Sequence, residues 1–180
     1  MRSRFQLYIS LVLLAAAALL PACTQAPIHI KLDDFRIQID AVGYTAGQVI
    51  YPKEPTHFED RYPNVKTVTV TGVMKAEFTP VQSPLVLSFY ARVNDPAASD
   101  NCVDAVVAWV CDAEGELVLS RSYTVTNGAA QPFSLGDNNR WVLAEGVNRG
   151  EIWIGARVTS GIALDATFEF TDMVATVTLF

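Results

Sequence analysis

Histidine and lysine are both scarce in this chain of 180 residues. The two histidines, His29 and His57, have no partner at the spacing of a transition-metal site, so the sequence predicts no metal centre of that kind. The chain has four lysines, and its 13 basic residues are outnumbered by 19 acidic ones, which gives a net charge of −6. Because phosphate backbones repel an acidic surface, this balance argues against nucleic acid as a partner.

The recognised motifs of catalysis are also missing from the sequence. It contains no Gly-x-Ser-x-Gly elbow, no His-Glu-x-x-His pair and no glycine loop that would hold a phosphate. We therefore predict neither an enzyme nor a cofactor. The two carboxylates of a glycosidase have no local signature, so a small envelope hydrolase stays as an alternative.

Cysteine occurs three times, at Cys23, Cys102 and Cys111. Residues 103–110 contain no turn-forming residue and predict one apolar, central strand over 103–111. A strand rises about 3.3 Å per residue, which would hold the last two cysteines about 30 Å apart. A disulfide needs Cα atoms within about 7 Å. We therefore expect two separate thiols, with a Cys102–Cys111 disulfide as the alternative.

The N-terminal segment has the three parts of a secretory signal peptide. A basic Met-Arg-Ser-Arg head precedes an uncharged stretch over residues 5–22, and small residues precede Cys23. Leu20-Pro21-Ala22-Cys23 resembles the lipobox of bacterial lipoproteins. The resemblance implies cleavage before Cys23, a diacylglyceryl group on its sulfur and usually an acyl chain on its amine. A protein so modified is anchored to a membrane of the cell envelope, because two or more acyl chains bind a bilayer stably.

Two other interpretations of this segment stay open. The 18 uncharged residues could form an uncleaved transmembrane anchor, although about 20 are typical, or the protein could be secreted without lipid. Removal of residues 1–22 takes away Arg2 and Arg4 and leaves a net charge of −8. The lipid, and not surface charge, would then hold the protein at the membrane.

The rest of the chain is dominated by an alternation of period two, which is typical of strands with one buried face. We predict a short tether at 23–27 and a single all-β domain at 28–180, an antiparallel β-sandwich of eight to ten strands that is immunoglobulin-like or a jelly-roll. A barrel is a further alternative, and no helix is predicted. The strands are expected at 28–32, 35–39, 68–78, 85–93, 103–111, 117–125, 140–144, 151–158, 162–170 and 173–180. Ser160-Gly161 is expected to join strands 151–158 and 162–170 as a hairpin.

Residues 41–66 interrupt this alternation with three prolines and several aromatic side chains, Tyr51 and Tyr62 among them. Long irregular loops in compact domains are uncommon and are often functional. We predict a loop that either contributes to a binding site or covers an edge of the sandwich as a lid.

The same alternation predicts which side chains point away from the core. On strand 85–93 the outward set includes Tyr90 and Arg92, and on strand 151–158 it includes Trp153 and Arg157. Aromatic and cationic groups on one outer face are suited to a glycan or a partner protein. The predicted ligand-binding residues are Tyr90, Arg92, Trp153, Arg157, Tyr51 and Tyr62. The alternative is that the 41–66 loop or a neighbouring strand buries Trp153.

An acidic loop from Asn94-Asp95 to Asp100-Asn101, with Asp104 just beyond it, offers oxygen ligands of the type that calcium prefers. Asp and Asn also dominate turns through local hydrogen bonds, and we favour that interpretation, with no metal predicted. The sequence as a whole predicts a lipid-anchored envelope protein that recognises a glycan or an envelope protein without catalysis. A structural or assembly lipoprotein with no small ligand is the alternative.

Overall fold

A computed structural model of the chain describes residues 26–43, 47–58, 62, 64–106, 108–114, 116–119, 122–136 and 140–179. Residues 1–22, the predicted signal peptide, and Cys23 lie outside these ranges, so cleavage and lipidation stay predictions. In the described part of the chain, no helix is long and apolar enough to cross a membrane.

Within the described residues, the architecture is an antiparallel β-sandwich with one α-helix, and this confirms the predicted fold class. A 3-10 turn lies at Pro96–Ala98. The elements, in chain order, are β1 (Ile28–Lys31), β2 (Phe35–Gly43), β3 (Gln48–Pro52), β4 (Thr56–His57), β5 (Val65–Arg92), β6 (Cys102–Asp104), β7 (Ala108–Asp112), β8 (Leu117–Val118), β9 (Tyr123–Val125), β10 (Ala130–Leu135), α1 (Arg140–Arg149) and β11 (Glu151–Leu179).

The sandwich is built on β5 and β11, which pair along almost their whole lengths, from Trp153 opposite Arg92 to Leu179 opposite Val65. Near its middle the pair bends at Gly161, which has a φ of +92° and lies so close to Pro84 that a Cβ would fall 2.5 Å from the Pro84 carbonyl oxygen. The two halves then face each other across the core.

Contacts between aromatic rings show how the halves meet. Phe89 pairs with Ala156 in one half of the ladder, and Phe170 pairs with Met74 in the other. The rings of Phe89 and Phe170 nevertheless meet edge to face, with their centroids 6.1 Å apart. The predicted hairpin between residues 151–158 and 162–170 is therefore wrong, because both stretches belong to β11 and both pair with β5.

Two aspartates in β11 adopt the left-handed backbone conformation, which Asp tolerates better than most residues. Asp165 has a φ of +49° and Asp172 a φ of +52°, and the register of the β5–β11 ladder shifts around each of them. Each shift changes which parity of side chain faces the core. Ala163 is therefore fully buried, while its neighbours Ile162 and Leu164 are exposed.

Residues 140–149 form a helix, so the predicted strand at 140–144 and the predicted absence of helices are both wrong. Val142, Leu143 and Val147 are buried at a spacing of four to five residues, which suits one helical face. The helix ends at Gly150, whose φ of +86° is easily adopted only without a side chain. Through its buried face, α1 packs against β5 and β11.

The segment between Cys102 and Cys111 is a hairpin of β6 and β7 and not one strand. Asp104 Oδ1 accepts a hydrogen bond from the Val106 amide, a local contact by which Asp often forms turns, so the chain reverses within the stretch that the sequence predicts as one strand. Cys102 and Cys111 are directly opposite in the register, and they form a disulfide with Cα atoms 4.0 Å apart. The prediction of two separate thiols is wrong, and the alternative is confirmed.

Strands β3, β7 and β6 form a three-stranded unit, which we call the flap. β3 pairs with β7 over its whole length but with β11 only at Ile50 opposite Ala156, so the flap turns away from the main sheet and covers its outer side. A second apolar cluster lies beneath it, formed by Val49, Tyr51, Tyr90, Cys111 and Trp153. The predicted irregular loop at 41–66 is wrong where the structure describes it, because that stretch holds the end of β2 and all of β3 and β4.

Candidate functional site

A cleft of about 960 Å³ lies at the end of the flap where β3 ends and β7 begins. The first residues of the β5–β11 ladder, the N-terminus of β11 and the C-terminus of α1 complete its wall. The cleft is lined by Lys53, Glu54, Pro55, His57, Arg92, Val93, Asn94, Asp95, Ala97, Ala98, Ser99, Trp109, Arg149, Glu151 and Trp153.

Lys53 and Trp109 form the flap side of the cleft. The Lys53 ammonium lies 3.7 Å from the centroid of the Trp109 ring, in a cation–π contact. The same Nζ also forms an ion pair of 2.5 Å with Asp104 Oδ1. The hydrogen bond from Lys53 lowers the pKa of Asp104, so this carboxylate stays ionised and compensates the lysine at neutral pH.

Arg92 lies between the cleft and the interior of the flap. Its guanidinium pairs with Glu116 at 3.3 Å, and both side chains are nearly buried. Its Nη1 donates to the disulfide sulfurs of Cys102 and Cys111 at 2.8 and 3.3 Å, and its Nε donates to the Asn94 carbonyl at 3.0 Å. This arginine thus links the end of β5 to the hairpin and to the next loop.

Tyr51 completes the buried network. Its hydroxyl donates a hydrogen bond of 2.7 Å to Glu116 Oε2, and burial together with this bond raises the pKa of Tyr51 well above its usual value. The ring lies against Gly155, where a Cβ would fall 2.6 Å from two ring carbons. The absence of a side chain at position 155 therefore allows the flap to approach the main sheet closely.

Arg149, the last residue of α1, forms the opposite wall. Its Nε pairs with Glu145 one turn earlier at 2.7 Å, and its Nη1 donates to the Val93 carbonyl and to Asn94 Oδ1 at 3.4 and 3.3 Å. The end of the helix is thereby joined to the loop that follows β5.

Trp153 lies at the base of the cleft and is only 6% exposed. Its indole N–H is buried and has no hydrogen-bond partner among the described residues. Buried polar groups without partners are rare in folded proteins.

The structure brings together four of the six predicted ligand-binding residues, Tyr51, Tyr90, Arg92 and Trp153. The expectation that Tyr90 and Trp153 stand open to solvent is wrong, because each is 6% exposed beneath the flap. Arg92 and Trp153 line the cleft. Tyr51 and Tyr90 lie beneath the flap and are not part of the cleft lining. The remaining two predicted residues lie elsewhere: Arg157 is opposite Ser88 further along the ladder, and Tyr62 packs on the main core.

Sequence reasoning missed Trp109, Lys53 and Arg149 as cleft residues. The sequence predicts Trp109 in a central strand. It also predicts a strand at 140–144, where the structure has the helix that carries Arg149. A signal for the helix was present in the pairs Val142-Leu143 and Gly146-Val147, which repeat after four residues.

The acidic loop makes local contacts in this structure. Asp95 Oδ1 accepts from the Ala97 amide at the start of the 3-10 turn, and Asp104 contacts Lys53 and the Val106 amide. The bonds from the Ala97 and Val106 amides are the local hydrogen bonds that the favoured interpretation predicts, whereas Lys53 is 51 residues from Asp104 in the sequence. Among the described residues, no group of three or more His, Cys, Asp or Glu side chains could hold a metal ion.

Comparisons with known proteins give no family for this chain. No family model and no curated protein matches it. Two structures of infectious bursal disease virus are similar to it: that of the Gt strain at 12% identity and a TM-score of 0.40, and that of the Gx strain at 10% identity and a TM-score of 0.36. The matches cover 85% and 86% of this chain, which spans only about a third (33% and 35%) of the viral chains.

Proposed function

We propose that this protein is a lipid-anchored recognition protein of the bacterial cell envelope, and that its β-domain binds a glycan or an envelope protein in the cleft without catalysing a reaction. The anchor part of the proposal is supported by Leu20-Pro21-Ala22-Cys23 and the basic head before it. The recognition part is carried by one observation, the cleft with two tryptophans and three basic side chains in its wall.

The construction of the cleft supports a role in binding. Tryptophan and arginine are the side chains that most often dominate binding energy at interfaces. Here they are held by a disulfide, a buried ion pair and a helix end, so the wall is organised before a ligand arrives. Such preorganisation lowers the entropy cost of association.

The anchor is tested with the full-length chain expressed in a bacterial host. We expect the wild-type protein to fractionate with membranes and to carry acyl mass on Cys23 in intact mass spectrometry. The Cys23→Ser variant should lack this mass and retain the disulfide and the thermal unfolding transition. A mature wild-type chain without acyl mass on Cys23 would contradict the anchor.

Recognition is tested independently by screening the purified full-length protein against neutral and acidic envelope glycans and against purified envelope proteins. We expect at least one to bind, and Trp109→Ala to weaken that binding at least tenfold. The matched control is Trp141→Ala, because Trp141 is 58% exposed on α1 and does not line the cleft. A protein that binds no member of either panel is a structural or assembly protein instead.

A further inference from the structure

The basic side chains of the cleft are already neutralised. Lys53 pairs with Asp104, Arg92 with Glu116 and Arg149 with Glu145, at 2.5, 3.3 and 2.7 Å respectively. None of these three carboxylates lines the cleft, so each one contacts its basic partner from outside the cleft. An anionic ligand would have to compete with a carboxylate for every cation that it approaches.

The remaining charges of the wall also disfavour an anion. Glu54, Asp95 and Glu151 line the cleft, and the whole chain has a net charge of −6. The summed field of such a surface repels polyanions and slows their association. Phosphorylated, sulfated or uronic-acid ligands are therefore poorly matched to this cleft.

A cation could pair with these carboxylates but would leave the N–H donors of Lys53, Arg92 and Arg149 unused, because the wall mixes donors with acceptors. Three basic groups stand among the three carboxylates, and the Lys53 ammonium already occupies a position over the Trp109 ring. A hydroxyl group both donates and accepts, so it can use neighbours of either kind.

Resting on the proposed recognition function, we infer that the cleft binds an uncharged polyhydroxylated ligand, a neutral oligosaccharide. Its volume of about 960 Å³ is at the upper end of ordinary ligand sites and suits several linked sugars better than one. Trp109, which is half-buried, supplies apolar surface for the C–H faces of the sugars, and the charged side chains supply hydrogen bonds to the hydroxyls.

The experiment compares ligands of different charge, and it includes one matched pair, an oligogalacturonate and its methyl ester, that differ in charge and little else. The full-length protein is titrated by calorimetry with an oligogalacturonate, with its methyl ester, with neutral glucan and chitin oligosaccharides, and with a polyamine. We expect at least one neutral oligosaccharide to bind, and the unesterified oligogalacturonate and the polyamine to bind at least tenfold more weakly. Trp109→Ala should reduce binding of the neutral ligand at least tenfold, and Trp141→Ala should leave it unchanged.

A charge variant separates this inference from a merely structural role of the wall. Asp104→Asn removes the carboxylate that neutralises Lys53 and leaves the lining of the cleft intact. We expect it to increase affinity for the oligogalacturonate several-fold and to leave affinity for the neutral ligand within twofold of wild type. Its disulfide and melting temperature are checked first.

The possible failures are distinguishable. Tightest binding of the acidic sugar or of the polyamine overturns the inference of a neutral ligand and leaves recognition in place. If this protein binds a purified envelope protein but no sugar, the inference of a neutral oligosaccharide is also overturned and recognition stays in place. Absence of binding to every sugar, to the polyamine and to every envelope protein overturns both the inference and the proposed function.

Discussion

Arg92 and Glu116 form an ion pair of 3.3 Å beneath the flap, with side chains only 12% and 7% exposed. The pair joins the end of β5 to the loop between β7 and β8, and Tyr51 donates a hydrogen bond to the second oxygen of the same carboxylate. Removal of one member would leave the other charge buried without compensation.

We therefore expect Glu116→Leu to lower the free energy of unfolding by about 3 to 5 kcal/mol. The double variant Arg92→Met with Glu116→Leu should recover a large part of that loss, because neither buried charge remains. Urea denaturation followed by circular dichroism measures both values. Equal stability of Glu116→Leu and wild type would contradict the buried ion pair.

The Cys102–Cys111 disulfide should be detectable as two protected thiols. In denaturant, neither cysteine should react with an alkylating reagent until a reductant is added, as intact mass shows. Because the bridge closes a short loop with a sequence separation of nine, its loss should cost about 2 to 3 kcal/mol. Cys102→Ala with Cys111→Ala is the variant for urea denaturation, and immediate alkylation of both thiols would refute the disulfide.

Tyr51 should make stability fall at alkaline pH. The pKa of its hydroxyl is raised in the folded state, so above pH 10, the usual tyrosine value, the unfolded chain loses this proton and the folded chain keeps it. The free energy of unfolding should then decrease by up to about 1.4 kcal/mol per pH unit. Tyr51→Phe is the control. Identical slopes for the two proteins in urea denaturation between pH 9 and 11 would rule out a protonated, buried Tyr51.

Trp153 should behave as a core residue. We expect Trp153→Ala to destabilise the protein by about 3 to 5 kcal/mol, because it leaves a cavity under the flap. In single-tryptophan variants, an aqueous quencher should reach Trp141 most easily and Trp153 least, in line with exposures of 58% and 6%. Efficient quenching of Trp153 would contradict its burial and would support the solvent-exposed face that the alternation predicts.

Local patterns in the chain were sufficient to predict the all-β class, the antiparallel sandwich and which side of strand 85–93 faces the core. Leu85, Leu87, Phe89 and Ala91 are all buried as their alternation predicts. Alternation is a property of adjacent residues on a pleated strand, so it can be identified without knowing what the strand packs against. It fails where one residue changes the register, as Asp165 does before Ala166.

Long-range contacts control the features that the sequence did not predict. Parity correctly places Tyr90 and Trp153 on the side opposite Phe89, but only the flap, formed by residues 40 or more positions away from Trp153, buries them. The flap in turn depends on the chain reversal at Asp104 and on the close approach of Tyr51 to Gly155. Asp has a short polar side chain and Gly has none, so neither residue contributes to a hydrophobic pattern. The cleft forms where the ends of the flap strands, β5, β11 and α1 lie close together. This proximity is a long-range contact, and no periodicity along the chain predicts it.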